Sequence, residues 1–209
     1  MWPLWAVEVQ VLSSASPEAA WLGGFRFRDW LHLLTFAIVL VVISGLSGTG
    51  KSTVGEAVAR QRRVVWLSVD PVEDALLSVG LPSDWTTGVA AYEAVAAAAT
   101  ENLRLGHSVI VDAVNDSEAA RDTWRRAAEA ASAPLVFVLL TPPDEREHRR
   151  RLRERTRPLA HQSEPTWGQV QARARRFEPW RDPPVTIDSG QPLEIVVEQV
   201  GAILPRRRA

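Results

Sequence analysis

Short apolar runs alternate with amphipathic stretches along the chain from residue 38 to its end. Runs of about four to eight apolar residues bounded by turn signals are typical of strands that are buried on both faces. The sequence therefore predicts five strands, which lie at Ile38–Ile43, Val64–Val69, Ser108–Val111, Leu135–Leu140 and Val185–Ile187.

The stretches between these strands have helical character. Thr166 is a good N-cap residue, Gly106 is a good C-cap, and either Asn115 or Asp116 can begin the helix that runs to about Ala131. Pro71 predicts a break after the second strand, and Gly80 to Thr87 is rich in turn residues. The other helices are predicted at Ser52–Arg62, Val72–Val79, Gly88–Leu105, Asp144–Arg155, Thr166–Arg176 and Leu193–Leu204.

Strands that alternate with helices at this spacing predict an α/β fold. Such a fold has a parallel sheet with helices on both faces, and its ligands bind at the carboxyl ends of the strands. We expect one domain over residues 38–204, with a lid around residues 144–165, followed by a basic tail at 205–209 whose terminal arginines are solvated.

The first 37 residues show no clear helical or strand period. They hold Trp2, Trp5, Trp21 and Trp30. We interpret this leader as disordered, or as a mis-assigned start of the protein. A signal peptide or membrane anchor is the alternative, since two arginines precede an apolar run at Leu31–Ile43, but that run is short for a span and its second half is needed as the first strand.

The composition excludes several classes of function. The 209 residues carry a net charge of −1 with a pI of about 6.4, so the overall charge gives no reason to expect nucleic acid or an anionic membrane as a partner. There is no cysteine, which excludes disulfides, thiolate nucleophiles and cysteine metal sites and favours the cytoplasm. The sequence gives no indication of the oligomeric state.

The single lysine of the chain stands in a phosphate-binding motif. All 23 other Lys and Arg positions are arginine. The motif G-x-x-x-x-G-K-[ST] lets backbone N–H groups surround a phosphate while the lysine reaches the β and γ oxygens of a nucleotide. It predicts a nucleotide-binding P-loop between the first strand and the first helix, formed by Gly45, Leu46, Ser47, Gly48, Thr49, Gly50, Lys51 and Ser52, followed by Thr53.

The residues that a phosphoryl transfer needs besides the P-loop are also present. The Ser52 hydroxyl is the expected Mg²⁺ ligand. Asp70 and Asp112 each follow an apolar strand, so they should lie on the same edge of the sheet as the P-loop. We assign Asp70 to accept the proton of the attacking hydroxyl, and Asp112, which resembles a Walker B aspartate, to hold Mg²⁺ through water. The two roles are interchangeable at this stage, and either residue could instead be a helix cap or turn aspartate.

The stretch from Pro71 to Leu103 contains acidic residues and no basic residue. We expect it to form the side of the site that binds the phosphoryl acceptor. An anionic acceptor would require an arginine there, so the acceptor is predicted to be neutral or cationic. Trp85, Tyr92 and Asn115 are candidates for contacts with it, although aromatic residues near helices are more often part of a core.

The helix predicted at Asp144–Arg155 is rich in arginine. Such runs are usually solvated faces, but a lid over a nucleotide needs cations. Arg150 and Arg153 share one helix face and are the predicted pair over the γ-phosphoryl group.

These features together resemble the P-loop small-molecule kinases, a group that includes chloramphenicol phosphotransferase, gluconate kinase, shikimate kinase and polynucleotide kinase. The sequence is more closely similar to short bacterial proteins labelled AAA-family ATPase. The resemblance rests on Leu67-Ser68-Val69-Asp70-Pro71, on the stretch from Thr87 to Tyr92, on Glu147-His148-Arg149-Arg150-Arg151, on Pro165-Thr166-Trp167 and on Glu178-Pro179-Trp180. It implies a five-stranded sheet in the order 2-3-1-4-5, ATP and Mg²⁺ as cofactors, and Asp70 as the base.

The sequence thus favours an ATP-dependent kinase that phosphorylates a hydroxyl of a small molecule. Two alternatives stay open: a P-loop ATPase or nucleotide-binding switch without an acceptor, and a kinase of nucleic-acid ends or of nucleotide sugars. A GTPase is disfavoured, because an N-K-x-D guanine motif would need a second lysine.

Overall fold

A computed structural model describes residues 38–156 and 159–205 of the chain. The predicted leader at 1–37 and nearly all of the basic tail lie outside the described residues. Within the described ranges, no helix is long and apolar enough to cross a membrane.

The described residues form five strands and seven helices. The strands are β1 (Leu40–Ser44), β2 (Val65–Ser68), β3 (Val109–Asp112), β4 (Leu135–Thr141) and β5 (Val185–Asp188). The helices are α1 (Lys51–Arg62), α2 (Val69–Ser78), α3 (Trp85–Arg104), α4 (Glu118–Ala130), α5 (Glu145–Glu154), α6 (Trp167–Arg176) and α7 (Leu193–Gly201).

All five strands are parallel and lie in the order β2-β3-β1-β4-β5, which confirms the predicted fold. The register sets the positions that matter for the site. Asp112 at the end of β3 lies beside Ile43 of β1 on one side and beside Ser68 of β2 on the other. The segments that follow these three adjacent strands therefore meet at the same end of the sheet.

Successive residues of β1 point to opposite faces of the sheet, and both faces are covered by helices. Val41 and Ile43 belong to a core that includes residues of α1 and α7. Leu40 and Val42 belong to a second core formed with α3 and α4, where Trp124 is fully buried. This two-sided burial explains why the strands read as continuous apolar runs.

Two predicted helix starts are wrong because the cap lies elsewhere. Helix α2 begins at Val69 rather than Val72, since Pro71 lies in the first turn, where a missing N–H costs nothing. Helix α3 begins three residues early because the carboxylate of Asp84 accepts a hydrogen bond from the N–H of Thr87.

Two further boundaries differ from the prediction, and one cap is confirmed. The N-cap of α4 is Ser117, and neither Asn115 nor Asp116 fills that position. The closing helix ends at Gly201, short of the predicted Leu204. Thr166 caps α6 as predicted, and Gln169 completes a reciprocal capping box.

The fully buried Arg121 of α4 joins this helix to the segment that follows α6. Its guanidinium donates hydrogen bonds to three backbone carbonyls: Asn115 at 3.0 Å, Glu178 at 2.7 Å and Pro179 at 2.9 Å. It also pairs with Glu118 and lies 3.9 Å from the centre of the Trp180 ring. A charge in the interior is tolerated only when its donors are satisfied in this way.

We predict that Arg121→Ala destabilises the protein by about 3–5 kcal/mol, because three backbone carbonyls lose their donor and each buried unsatisfied acceptor costs about 1–3 kcal/mol. Arg126→Ala is the matched control on the same helix. Its exposed pair with Glu93 should contribute at most about 1 kcal/mol. Urea unfolding of both variants measures the two losses in the free energy of unfolding. Equal losses would show that the hydrogen bonds of Arg121 stabilise the protein no more than an exposed ion pair does.

Candidate active site

The P-loop lies between the end of β1 and the start of α1, as predicted. Gly48 and Gly50 both have a φ of 89°, a conformation that other residues adopt only with strain. The Lys51 ammonium donates to the carbonyl of Leu46 at 3.0 Å, and the Thr49 hydroxyl donates to the same carbonyl at 2.9 Å. The loop leads directly into α1, which begins at Lys51. A helix N-terminus is a suitable site for an anion.

A cleft of about 850 Å³ opens in front of the P-loop. Its wall includes most of the P-loop motif from Gly48 onward, together with residues from β2, α2, α5 and the loop after β5. Asp70 and Pro71 line it on the α2 side, and Arg150, Arg151 and Arg155 line it on the α5 side.

Asp112 is buried beside the P-loop and accepts three side-chain hydrogen bonds. Its Oδ1 accepts from the hydroxyls of Ser52 at 3.2 Å and Ser68 at 3.0 Å. Its Oδ2 accepts from the indole N–H of Trp66 at 2.7 Å. The sequence predicted Ser52 and Asp112 as neighbours, but it did not indicate Trp66 or Ser68.

The environment of Asp112 disfavours its charged form. Burial raises the pKa of its carboxyl above the ordinary value of 3.8, while the Lys51 ammonium and the hydrogen bonds from Trp66 and Ser68 oppose that effect. The charge of Asp70 adds to the increase, which shows that the two carboxylates interact electrostatically.

Helix α5 lies directly on the P-loop through a buried histidine. His148 Nε2 is 2.8 Å from the carbonyl oxygen of Ser47, so this nitrogen carries the proton and donates it. A Cβ added at Gly48 would lie 3.2 Å from the His148 ring and 3.4 Å from Leu152. The ring edge of His148 also meets Trp167 of α6, with the centroids 5.1 Å apart.

His148, Arg151 and Leu152 are spaced as one inner face of α5. Arg155 follows the last residue of the helix and also lines the cleft. The only signal for this face in the sequence was His148 and Leu152, four residues apart in a run of charged residues. Arg151 donates to the carbonyl of Ser189 at 2.7 Å, and Arg155 pairs with Glu164.

The two predicted lid arginines lie in different places. Arg150 lines the cleft but is half exposed and paired with Glu147 and Glu154. Hydrogen bonds from Arg150 and Arg151 lower the pKa of Glu147 to about 2, so this carboxylate stays charged. Arg153 is exposed, does not line the cleft and contacts Glu154 at 3.8 Å. The structure gives no support to a role for Arg153 at the γ-phosphoryl group.

The segment that follows α5 is fastened to α2. The carboxylate of Asp74 accepts hydrogen bonds from three consecutive backbone N–H groups: Ala160 at 3.3 Å, His161 at 2.8 Å and Gln162 at 2.8 Å. Desolvation alone would raise the pKa of the Asp74 carboxyl, but these hydrogen bonds outweigh it and hold the pKa below its ordinary value. The segment after α5 is therefore held against α2.

The three candidates for acceptor contacts do not line the cleft. Trp85 is 81% exposed at the start of α3. Asn115 is fully buried with a φ of 56°, and its amide donates to Ser44 and accepts from the Trp124 indole. The Tyr92 hydroxyl accepts from the backbone N–H of Asn115, and burial raises its pKa. Tyr92 and Asn115 hold the loop after β3 in place.

We predict that Asp112→Asn raises the free energy of unfolding of the ligand-free protein at neutral pH. A raised pKa in the folded state means that the folded protein binds this proton more tightly than the unfolded chain. The stabilisation is present below pH 3.8 and is lost as the pH rises through the folded pKa. An asparagine can keep the bond from Trp66 without the buried charge.

Urea unfolding between pH 5 and 8 tests this, with the exposed Asp182 replaced by Asn as the control. A variant at position 112 that is less stable than the wild type at neutral pH would show that the pairing with Lys51 outweighs the cost of burial.

Comparison with known proteins supports the fold. No curated protein matches the sequence significantly. Among solved structures, a gluconokinase from Sinorhizobium meliloti 1021 is 25% identical, with a TM-score of 0.56, over 80% of this chain and 92% of that protein. A sugar kinase from Janibacter sp. HTCC2649 is 20% identical, with a TM-score of 0.58, over 78% of this chain and 91% of that one.

The APS kinase of Mycobacterium tuberculosis in complex with AMPPNP and APS has the same fold, with 19% identity and a TM-score of 0.58 over 79% of this chain and 96% of that one. The family described as AAA domain matches residues 40–180, which is more than half of the sequence. The chain therefore belongs to the AAA domain family, with the P-loop fold of these small-molecule kinases.

Proposed function

We propose that the protein transfers the γ-phosphoryl group of ATP to a hydroxyl of a small uncharged molecule. The observation that carries the proposal is the placement of Asp70. This carboxylate, in the first turn of α2, lines the same cleft as Lys51, Arg151 and Arg155. Its position suits a group that receives a proton from an attacking hydroxyl.

The step balances with the groups of the cleft. A bond forms between the acceptor oxygen and the γ-phosphorus, and the bond from that phosphorus to the β–γ bridging oxygen breaks. Asp70 takes the proton of the hydroxyl, and ADP leaves. Lys51 and the first turn of α1 hold the β- and γ-phosphate oxygens, and Arg151 and Arg155 offset the charge on the transferred group.

The donor set beside the P-loop fits Mg²⁺. Ser52 and Asp112 offer hard oxygen ligands, and Mg²⁺ usually combines one or two such groups with phosphates and water. The described residues hold no group of three His, Cys, Asp or Glu side chains that could form an all-protein metal site. When bound, the ion would supply positive charge beside the phosphates.

The charges around the cleft favour an uncharged acceptor. Among the described residues that line it, those from β2 and α2 include no basic side chain. Several acidic residues of the Pro71–Leu103 stretch already have structural partners, namely Asp74 with the lid backbone, Asp84 as a cap, Glu93 with Arg126 and Glu101 with Arg104. They give no argument for a cationic acceptor. The sugar kinase with this fold makes neutral sugars the first compounds to try.

We expect Asp70→Asn to abolish transfer, with kcat lower by about 10²- to 10⁴-fold, because the general base is lost. ATP binding should stay unchanged, since Asp70 does not belong to the P-loop. The acceptor is first found by screening sugars, polyols and amino alcohols for ADP release together with a phosphorylated product by mass spectrometry.

Lys51→Ala serves as the second variant and should lower both ATP binding and transfer. Full turnover by the Asp70 variant would remove this residue from the proposed role. ADP release by the wild type without any phosphorylated product would instead indicate an ATPase.

Variants of Arg155 and Arg153 compare an arginine that lines the cleft with an arginine that was predicted from the sequence to lie over the γ-phosphoryl group. We predict that Arg155→Ala lowers kcat by about 10²- to 10³-fold, as expected for loss of one preorganised donor at the transferred group. Arg153→Ala should stay within about twofold, because its side chain is solvated outside the cleft. Steady-state kinetics with saturating ATP measure both, and the reverse order of effects would restore the original assignment.

A further inference from the structure

The hydrogen bonds to Asp112 are divided between its two oxygens. Both hydroxyl donors, Ser52 and Ser68, meet Oδ1, while the indole of Trp66 alone meets Oδ2. A hydroxyl can rotate and either donate or accept, but an indole N–H can only donate. The bond from Trp66 is thus the one that fixes the orientation of the carboxylate plane.

The register of the sheet brings Trp66 to this position. Trp66 and Ser68 are two residues apart on β2, so both point to the same face of the sheet. Ser68 lies beside Asp112 and Trp66 lies beside Ile110 on the neighbouring strand. The long indole side chain reaches forward to the carboxylate of the residue two positions further along.

Helix α1 leaves room for the indole only because residue 55 is glycine. A Cβ added at Gly55 would lie 2.8 Å from Trp66 Nε1 and 3.7 Å from Asp112 Oδ2. Contacts at the shorter distance essentially never occur, so any side chain at position 55 would displace the indole. Trp66 is thus packed between its own strand and the helix that begins at the P-loop.

Without the indole bond, the plane of the carboxylate could turn about its last torsion, and neither oxygen would be held in the direction of Ser52. A ligand that must meet Oδ1 and the Ser52 hydroxyl together would then find that arrangement only part of the time. Residues that orient metal ligands in this manner typically change metal affinity by about 10- to 100-fold when they are removed.

We propose that Trp66 is a positioning residue for the divalent cation, because its indole N–H holds Oδ2 of Asp112 and thereby directs Oδ1 toward Ser52. The inference rests on the proposed function, since it takes Ser52 and Asp112 as the cation site. Trp66 itself does not touch the cation or the phosphoryl group.

The test is the affinity for Mg²⁺ in the presence of a non-hydrolysable ATP analogue, measured by calorimetry and independent of turnover. We expect Trp66→Phe, which keeps an aromatic ring without the donor, to bind Mg²⁺ about 10- to 100-fold more weakly. Its affinity for the analogue without Mg²⁺ should stay within about twofold of the wild type. Trp66→Gln returns an N–H donor and should recover part of the loss.

Trp85→Phe is the matched control, because it makes the same chemical change at an exposed tryptophan outside the cleft. An unchanged Mg²⁺ affinity in Trp66→Phe would overturn the proposal, as would equal losses in the Phe and Gln variants. If both variants fail to fold, hydrogen exchange of the Trp66 indole N–H in the wild-type protein decides. Continued protection with Mg²⁺ and analogue bound supports the proposal, and rapid exchange in that complex overturns it.

The outcomes separate this inference from the proposed transfer. If the wild-type protein binds the analogue equally well with and without Mg²⁺, the assignment of the cation site itself is refuted. The Mg²⁺ affinity could fall in Trp66→Phe and partly recover in Trp66→Gln while the screen yields no phosphorylated product. That result would support the role of Trp66 and refute only the proposed transfer.

Discussion

The buried carboxylate of Asp112 is the constraint around which the edge of the sheet is organised. A carboxylate removed from water must receive hydrogen bonds or take up a proton. Here its partners come from two other elements, Ser52 from α1 and both Trp66 and Ser68 from β2, while Asp112 itself ends β3. Satisfying this one group therefore sets the position of the P-loop helix relative to two strands. Burial disfavours the charged form of this carboxyl and raises its pKa. The ligand-free protein is therefore less stable at neutral pH than it would be with a neutral group at this position, where a cation would bind.

Helix α5 and the segment that follows it are joined to the P-loop and to α2. His148 joins α5 to the P-loop through the Ser47 carbonyl, and Asp74 joins the following segment to α2 through three backbone N–H groups. His148 and Leu152 are buried against the P-loop, whereas two of the bonds to Asp74 are exposed, which is the character of contacts that open locally. The closed cleft positions Arg151 and Arg155 together with Asp70 around one volume. Excluding water from that volume would protect a phosphoryl group from hydrolysis.

The loop after β3 illustrates how a candidate for binding turns out to be a structural element. Asn115 takes a left-handed conformation and is completely enclosed by Ser44, Trp124 and Tyr92. The buried Arg121 then bonds to the Asn115 carbonyl and to the segment around Glu178. Tyr92 and Asn115 were predicted to contact the acceptor, but their hydrogen bonds fix this loop in place.

The sequence by itself determined the local features of this protein. Continuous apolar runs specified strands buried on both faces, the P-loop motif specified its own backbone conformation, and Thr166 specified a helix start, because each of these depends on neighbours a few residues away. The strand order came from family resemblance, since pairing between distant strands leaves little trace in a single chain. Only the tertiary structure decided which arginines of α5 face the cleft, that Asp74 bonds to the lid backbone, and that Trp66 meets Asp112 across 46 positions of sequence. Those outcomes depend on the rotation of a helix about its axis and on the register between strands, and both are set by packing of the whole domain.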